Sequence, residues 1–306
     1  MHATRKVHLA VEKVADNLYL VQGYNEGRFP FSHSILATGE RNVLFDTGSG
    51  ARALEQLKAD FHVEVVVNSH THPDHFSGNA HFEGIELVVP ELFAGILADL
   101  DAMSLRLAGG GEAAEQWIFL VTRILEHAPV EPTGTYGDGD VIDTGAHRFE
   151  AVHTPGHTAD HFCFLEREQG ILLSFDFDLT PFGPWYGHEE SDLDQLQDSF
   201  RKIRQVAPRM IVCSHREPVS SGIEEKLADY EDVVRQRGEK VHDCVGVAPA
   251  SPECIADLSP IYGLRASQQS ALFHYFESRM IEKHLLKLER EGVVERDEDC
   301  FFVRAP

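Results

Sequence analysis

Short apolar runs separated by turn residues dominate positions 7–67: VEKVADNLYLVQ, SHSILA and NVLFDTGSG, then ARALEQLKAD at helical spacing and the run VEVVV. Runs of this length, bounded by Gly, Asn, Asp and Ser, are strand signals, so the segment predicts a strand meander entering an α/β layer. From 91 to 128, ELFAGILADLDAMSLRL and EAAEQWIFLVTRILEHA carry apolar residues three and four apart, with Gly109, Gly110 and Gly111 between them. That pattern predicts two helices joined by a flexible turn. Strands return at HRFEAVH, HFCFLE and GILLSF, a helix follows near LDQLQDSFRKIRQVA, and RMIVCS reads as a last strand. The order strands, helices, strands, helices implies two similar halves.

After Ser221 the pattern changes. IEEKLADYEDVVRQRGEKVHD reads as one long exposed helix leading away from the strand-rich part, which places a domain boundary within 222–245 and divides the chain into 1–221 and 222–306. Beyond it, PECIADLS, QSALFHYF and SRMIEKHLLKLEREG read as helical, and VVERDEDCFFVRA as two short strands around an acidic turn. Helix, helix, helix, β-hairpin is a winged-helix pattern.

The 306 residues are 42% hydrophobic and 9% aromatic, enough for one full core and a smaller second one. Lys plus Arg number 27 against 50 Asp plus Glu, a net charge of −23 spread along the chain, which disfavours a generic polyanion binder. No apolar run reaches the roughly 18 residues a membrane helix requires, and the basic start is followed by no apolar stretch, so a cytoplasmic protein without a membrane partner is expected. The five cysteines, Cys163, Cys213, Cys244, Cys254 and Cys300, are odd in number and contain no CxxC, which argues against a disulfide framework or zinc finger. Histidine is the unusual count at 18, and several lie close to Asp.

The densest group is Asn68-Ser69-His70-Thr71-His72-Pro73-Asp74-His75, directly after VEVVV. In an extended or turning backbone His70 and His72 point to one side, while Pro73 helps to carry Asp74 and His75 round toward another, so one loop can feed two adjacent metals. Any one of these histidines fits a polar surface loop; the combination after a strand points to metal. His157, Asp176 and His215 fit the same scheme, each at or just past a strand end. His157 follows the Pro155-Gly156 turn, Asp176 ends GILLSFD in preference to Asp178 as the rival, and His215 ends RMIVCS. An acidic residue closing an apolar strand is costly to bury without a cation nearby.

With these residues in view, the chain resembles the metallo-β-lactamase superfamily: THPDHFSGN, HTPGHT, LLSFD and VCSH match its successive motifs in order, over roughly residues 7–220. The resemblance implies an α/β fold, a four-layer αββα sandwich with a dinuclear site along one edge of the sheets. His70, His72 and His157 would hold one divalent ion, Asp74, His75 and His215 the other, with Asp176 bridging. Zinc is the expected metal, with iron or manganese as alternatives, and Asp46 of LFDTG would support the metal loop. Two departures stand out. Phe175 precedes Asp176 where the family usually has Gly, and Cys213-Ser214 precede His215 where it usually has Pro-Gly. Cys213 reads most simply as a small buried apolar residue.

The C-terminal part resembles the winged-helix extension of lactamase-like endoribonucleases, which raises nucleic acid as a partner. Residues 240–306 hold 8 basic against 11 acidic residues, net −3, which opposes phosphate binding. Arg279, Lys283, Lys287 and Arg290 recur at helical spacing and read as a solvated face paired with Glu282, Glu289 and Glu291. In such enzymes this domain also closes over the active site or mediates a homodimer.

HTPGHT is closest to hydroxyacylglutathione hydrolases, so the expected reaction is metal-dependent hydrolysis of a small-molecule ester or thioester. Metal coordination brings water's pKa to about 7 and supplies the nucleophile, with Asp74 or the second metal orienting it or supporting the leaving group. Met103, Leu105, Trp117, Phe119 and the loop 181–188 read equally as walls of an acyl pocket or as core, with Trp185, Tyr186 and His188 as candidate substrate contacts. The competing readings are a metal-dependent nuclease, an iron-dependent redox enzyme, and a non-enzymatic interaction protein on a retired catalytic fold. The full set of seven candidate ligands argues against the last.

Overall fold

Alternation along very short strands sorts the core into layers. In β4 (Val43–Phe45) and β5 (Val65–Val67), Leu44 and Val66 face one side and Val43, Phe45, Val65 and Val67 the other. They lie in a seven-stranded sheet with β1 (Val11–Ala15), β2 (Leu18–Val21), β3 (Ser34–Ala37), β6 (Glu86–Pro90) and β7 (Gly134–Tyr136), ordered as in the chain. A second sheet has five strands, β8 (Val141–Asp143), β9 (Arg148–His153), β10 (Phe162–Glu166), β11 (Ile171–Phe175) and β12 (Met210–Cys213), in the order β12-β11-β10-β9-β8. The sheets bury a shared aromatic seam in which Phe45 meets Phe149 and Phe164 at ring-centroid distances of 5.2 and 5.0 Å. The computed structural model describes residues 11–246, 250–263 and 270–303, so residues 7–10 of the expected meander lie outside the described residues.

Helices cover both outer faces. α1 (Ala51–Asp60), α3 (Leu100–Ala108) and α4 (Gly111–Phe119) pack on the first sheet, while α5 (Leu193–Val206) and α6 (Ile223–Cys244) pack on the second; α2 (Pro73–Phe76) is a single turn at the sheet edge. The result is the four-layer αββα arrangement, with helical layers on either side of two facing sheets.

Four details differ from the sequence pattern. The first helix of the 91–128 insertion starts at Leu100, where the Asp99 carboxylate accepts from the amides of Asp101 and Ala102; before it Phe93 takes a left-handed φ of 68° and only a short turn forms at Ala94–Ile96. β6, β7 and β8 are not marked by the pattern, because three to five residues carry little periodicity. α6 does not lead away from the sheets: Leu227, Tyr230 and Val234 are buried against the second sheet's outer core. Finally, ALFHYF and SRMIEKHLLKLER form one helix, α8 (Ala271–Arg290), because no breaker separates them and the buried Glu277 carboxylate accepts from Ser259 Oγ and the amides of Ile261 and Tyr262.

Among the described residues α7 (Pro252–Ala256), α8 and the hairpin β13 (Val294–Asp297)–β14 (Cys300–Val303) follow α6. Leu272 and Phe276 of α8 enter the core built by α1, α3 and α4, and Met280 enters that of α5 and α6, so α8 joins both outer helical layers. Three of its basic residues have partners. Arg279 pairs with Glu253 and Glu282, Arg290 pairs with Asp194, and Lys283 donates to the carbonyl of Glu189. No helix of the described residues is long and apolar enough to cross a membrane.

Candidate metal centre

The parallel pair β4–β5 and the co-directional β9, β11 and β12 end at one edge, so five loops meet there. The HxHxDH loop leaves β5, Pro73 opens α2 at its first position, and Asp74 and His75 follow on that turn. Two glycines permit the approach. A Cβ on Gly48 would fall 1.4 Å from the Asp74 carbonyl oxygen, and one on Gly156, whose φ is +122°, 2.4 Å from the Leu196 amide nitrogen at the start of α5. Phe175 itself has φ +48°, so the position just before Asp176 adopts the conformation that glycine tolerates best while its ring fills the inter-sheet core.

Seven side chains converge in two groups: His70, His72, His157 and Asp176, then Asp74, His75 and His215. In the first, His157 Nε2 lies 3.3 Å from His70 Nε2, 2.9 Å from His72 Nδ1 and 3.2 Å from Asp176 Oδ2. In the second, Asp74 Oδ2 lies 3.6 Å from His215 Nε2 and 3.8 Å from His75 Nε2. Asp176 Oδ1 turns toward this group, 2.9 Å from His75 Nε2 and 3.3 Å from His215 Nε2, so its two oxygens face the two groups separately.

Each ring is held from behind through its other nitrogen. His75 Nδ1 donates to Asp46 Oδ2 at 2.7 Å, His157 Nδ1 to the Trp185 carbonyl at 2.8 Å, and His215 Nδ1 to the Gly27 carbonyl at 2.6 Å. His70 Nδ1 donates to Ser69 Oγ, which donates in turn to Asp46. His72 turns its Nε2 to His188 Nε2, and His188 Nδ1 donates to the Leu107 carbonyl. Asp46, at φ +58°, also accepts from the Ser69 amide and so pins both ends of the loop.

Burial, reinforced by neighbouring imidazoles, holds His70 and His72 well below the ordinary histidine range. Burial opposes charge on Asp176, yet the adjacent His75 and His215 keep its carboxyl well below the usual range. The same pairing, against burial, raises His75 strongly and brings His215 to about 9. Neutral His70 and His72 and ionised Asp176 are in the states that bind metal, whereas His75 and His215 would release the proton that Asp176 favours on them when a cation takes its place. The residues also fit metal ions by geometry. His75 Nε2 and Asp176 Oδ1 are buried 2.9 Å apart, yet their geometry makes no hydrogen bond with each other and neither atom has another hydrogen-bond partner. Two buried lone-pair atoms left this way are satisfied by a shared cation.

The candidate substrate contacts divide. Trp185 is half-buried against His72 and His157, with ring centroids 5.3 and 5.7 Å away. Tyr186 is fully buried with its hydroxyl on His284 Nε2, and His188 is buried behind His72, so neither presents itself to a ligand. Met103 and Trp117 are core, whereas Leu105 and Phe119 are exposed. Cys213 is buried, its thiol on the Asp178 carbonyl and its pKa pushed well up by burial; the Asp178 carboxylate accepts from the Thr180 amide.

Two supporting groups escape the sequence pattern. His161 lies tilted against His70, with centroids 5.0 Å apart, and accepts from the Asp176 amide. Asp160 accepts from the amide and hydroxyl of Thr71 and from Arg106, which also binds Glu190 and the Thr71 hydroxyl. His161 belongs to the same histidine-rich run as His157, a usable signal; Arg106 lies 54 residues from Asp160, and nothing local marks the pair.

Two adjoining His/Asp nests at the joined edge of an αββα sandwich place the chain in the class of metal-binding α/β proteins with donors for two adjacent ions. The profile of the metallo-beta-lactamase superfamily matches residues 27–215, more than half of the chain, and the chain belongs to that superfamily. It is 27% identical over 243 residues to an atrochrysone carboxyl ACP thioesterase of Aspergillus fumigatus, covering 76% of this chain and 65% of that one. It is 29% identical over 175 residues to the lactamase-like protein ptaB of Pestalotiopsis fici, covering 54% and 46%. The chain therefore spans between 46% and 65% of the length of these relatives. Among solved structures, a metallo-beta-lactamase family protein from Thermus thermophilus superposes with a TM-score of 0.74 at 22% identity, over 95% of this chain and 100% of that one. A beta-lactamase domain protein from Burkholderia ambifaria gives 0.70 at 19%, over 95% and 93%. These two establish the shared fold.

Proposed function

We propose that the chain is a dinuclear-metal-dependent hydrolase acting on the carbonyl of a small-molecule thioester or ester. The carrying observation is the split carboxylate of Asp176, one oxygen toward His157 and the other toward His75 and His215. His70, His72 and His157 would hold one ion and Asp74, His75 and His215 the other, with Asp176 placed to serve both groups. Nitrogen and carboxylate donors suit zinc, with manganese or iron as the alternatives. Bound there, such ions would supply Lewis acidity toward a carbonyl oxygen and would lower the pKa of water to about 7.

The chain's own groups do the rest. Burial raises the proton affinity of Asp74, which fits its carboxylate to take a proton from the attacking water and pass it to the leaving thiolate or alkoxide. Asp46, Gly27, Trp185 and His188 fix the ring orientations, so little reorganisation accompanies the reaction. The thioester choice rests on the relative from Aspergillus fumigatus named as an ACP thioesterase, together with the HTPGHT turn.

The test is the metal content of protein purified without added metal, followed by a panel of thioesters, lactones and oligonucleotides. About two zinc ions per chain with thioester turnover is the expected result. Turnover of oligonucleotides alone, or full retention of thioesterase activity in Asp176→Ala, overturns it.

A further inference from the structure

The side chains of Asp176 and His215 keep 10% and 13% of their surface exposed, whereas those of His70 and His75 keep none, so the centre opens on the Asp176–His215 side. A closed circuit of contacts frames that opening. On one flank Trp185 lies against His72 and His157 and, at 5.1 Å between centroids, against Phe276 of α8. Phe276 meets Phe273 one turn earlier at 6.3 Å, and Phe273 meets Phe29 edge-on at 6.3 Å. Phe29 belongs to the loop whose Gly27 carbonyl holds His215, which returns the circuit to the centre. Tyr262 braces it from outside: its hydroxyl accepts from Trp185 Nε1, and its ring lies 6.0 Å from Phe273 and stacks on Phe182 at 5.8 Å.

Phe29 and Phe182 remain 45% and 41% exposed, large apolar area beside a polar centre. Exposed aromatic surface of this kind marks a place where an apolar group is bound, and edge-to-face rings favour a flat one. Continuity with the metal centre fixes which group that is: the part of the substrate attached to the reacting carbonyl. Resting on the thioesterase reading above, we propose that Phe29, Trp185 and Phe273 of α8 form the acyl-binding rim, with the buried Phe276 packed behind them. The enzyme then prefers thioesters with a bulky aromatic acyl group over acetyl thioesters, and α8 serves as a wall of the substrate site.

Binding and turnover separate this inference from the reading beneath it. Non-hydrolysable pantetheine thioethers carrying a phenacyl or an acetonyl group are titrated by calorimetry into the metal-loaded full chain. Phenacyl is expected to bind about tenfold or more tightly, and Phe29→Ala and Phe273→Ala, on separate elements, each to remove most of that ratio, whereas Phe273→Tyr retains it. Leu105→Ser, on the exposed face of α3, leaves the ratio unchanged. Equal binding of the two analogues, or a ratio indifferent to both alanine variants, overturns the rim whatever the activity. A ratio that behaves as expected in a protein that cleaves no benzoyl thioester supports the rim and overturns the thioesterase reading.

Discussion

His72 and His188 meet nitrogen to nitrogen, Nε2 to Nε2 at 2.5 Å. Because His188 Nδ1 donates to the Leu107 carbonyl at 2.7 Å, and burial keeps this ring neutral, its Nε2 is the acceptor and His72 the donor. His72 Nδ1, 2.9 Å from His157 Nε2, is thereby left with a free lone pair in the centre. His188→Ala is expected to weaken metal retention about 10- to 100-fold, read by competition with a chromophoric chelator. Wild-type affinity in this variant would remove His188 from the support of the site.

Asp176 supplies an oxygen to each half of the centre, so its loss disables both. Asp176→Ala and His72→Ala are expected to lower kcat/KM by at least about a thousandfold while the circular dichroism spectrum stays that of the parent. Elemental mass spectrometry should show less than the parental metal content for each. Full turnover by either variant would sink the ligand assignment.

Gly48 sits where a methyl group would overlap the Asp74 carbonyl oxygen and crowd Ser32 Oγ, 2.4 Å away. The Ser32 hydroxyl donates to that same carbonyl, so relief means moving the metal loop. Gly48→Ala should cost about 3 kcal/mol and reduce bound metal; an unchanged urea midpoint with full metal content would contradict this.

Acid sensitivity follows from His284, which burial depresses to about 3 while its Nε2 accepts from the Tyr186 hydroxyl. Its ordinary pKa in the unfolded chain is about 6.5, so between these values the unfolded state binds the extra proton and stability falls as pH falls. The contribution is intact above about pH 6.5 and is lost progressively toward pH 3. Between about pH 7 and 5 the parent should lose about 2 kcal/mol more than His284→Leu, measured by urea unfolding. Parallel losses in the two proteins would show that His284 titrates normally.

Much of the centre is legible in the chain itself. His70, His72, Asp74 and His75 are crowded within one loop, and His157, Asp176 and His215 each follow a strand that apolar patterning reveals. Strand ends are where an α/β layer gathers its loops, so ligand type and position in the chain carry the information. The long α6 and the terminal hairpin are equally readable. Legibility ends where a residue's role depends on a distant partner. Tyr186 and His188 sit in one loop with Trp185, yet one packs on His284 and the other on His72, and only Trp185 reaches the opening.

What the sequence determined by itself was the chemistry available: which side chains can bind metal, which segments are strands, and that the chain is acidic. Tertiary structure alone decided which nitrogen of each histidine faces inward, because that follows from hydrogen bonds to Asp46, Trp185, Gly27 and His188 brought from other segments. It also carried α8 to the mouth of the centre, where the rings of Phe273 and Phe276, more than fifty residues beyond the last ligand, meet Phe29 and Trp185. Periodicity reports which face of an element is buried; the neighbour it is buried against is set by packing over the whole chain.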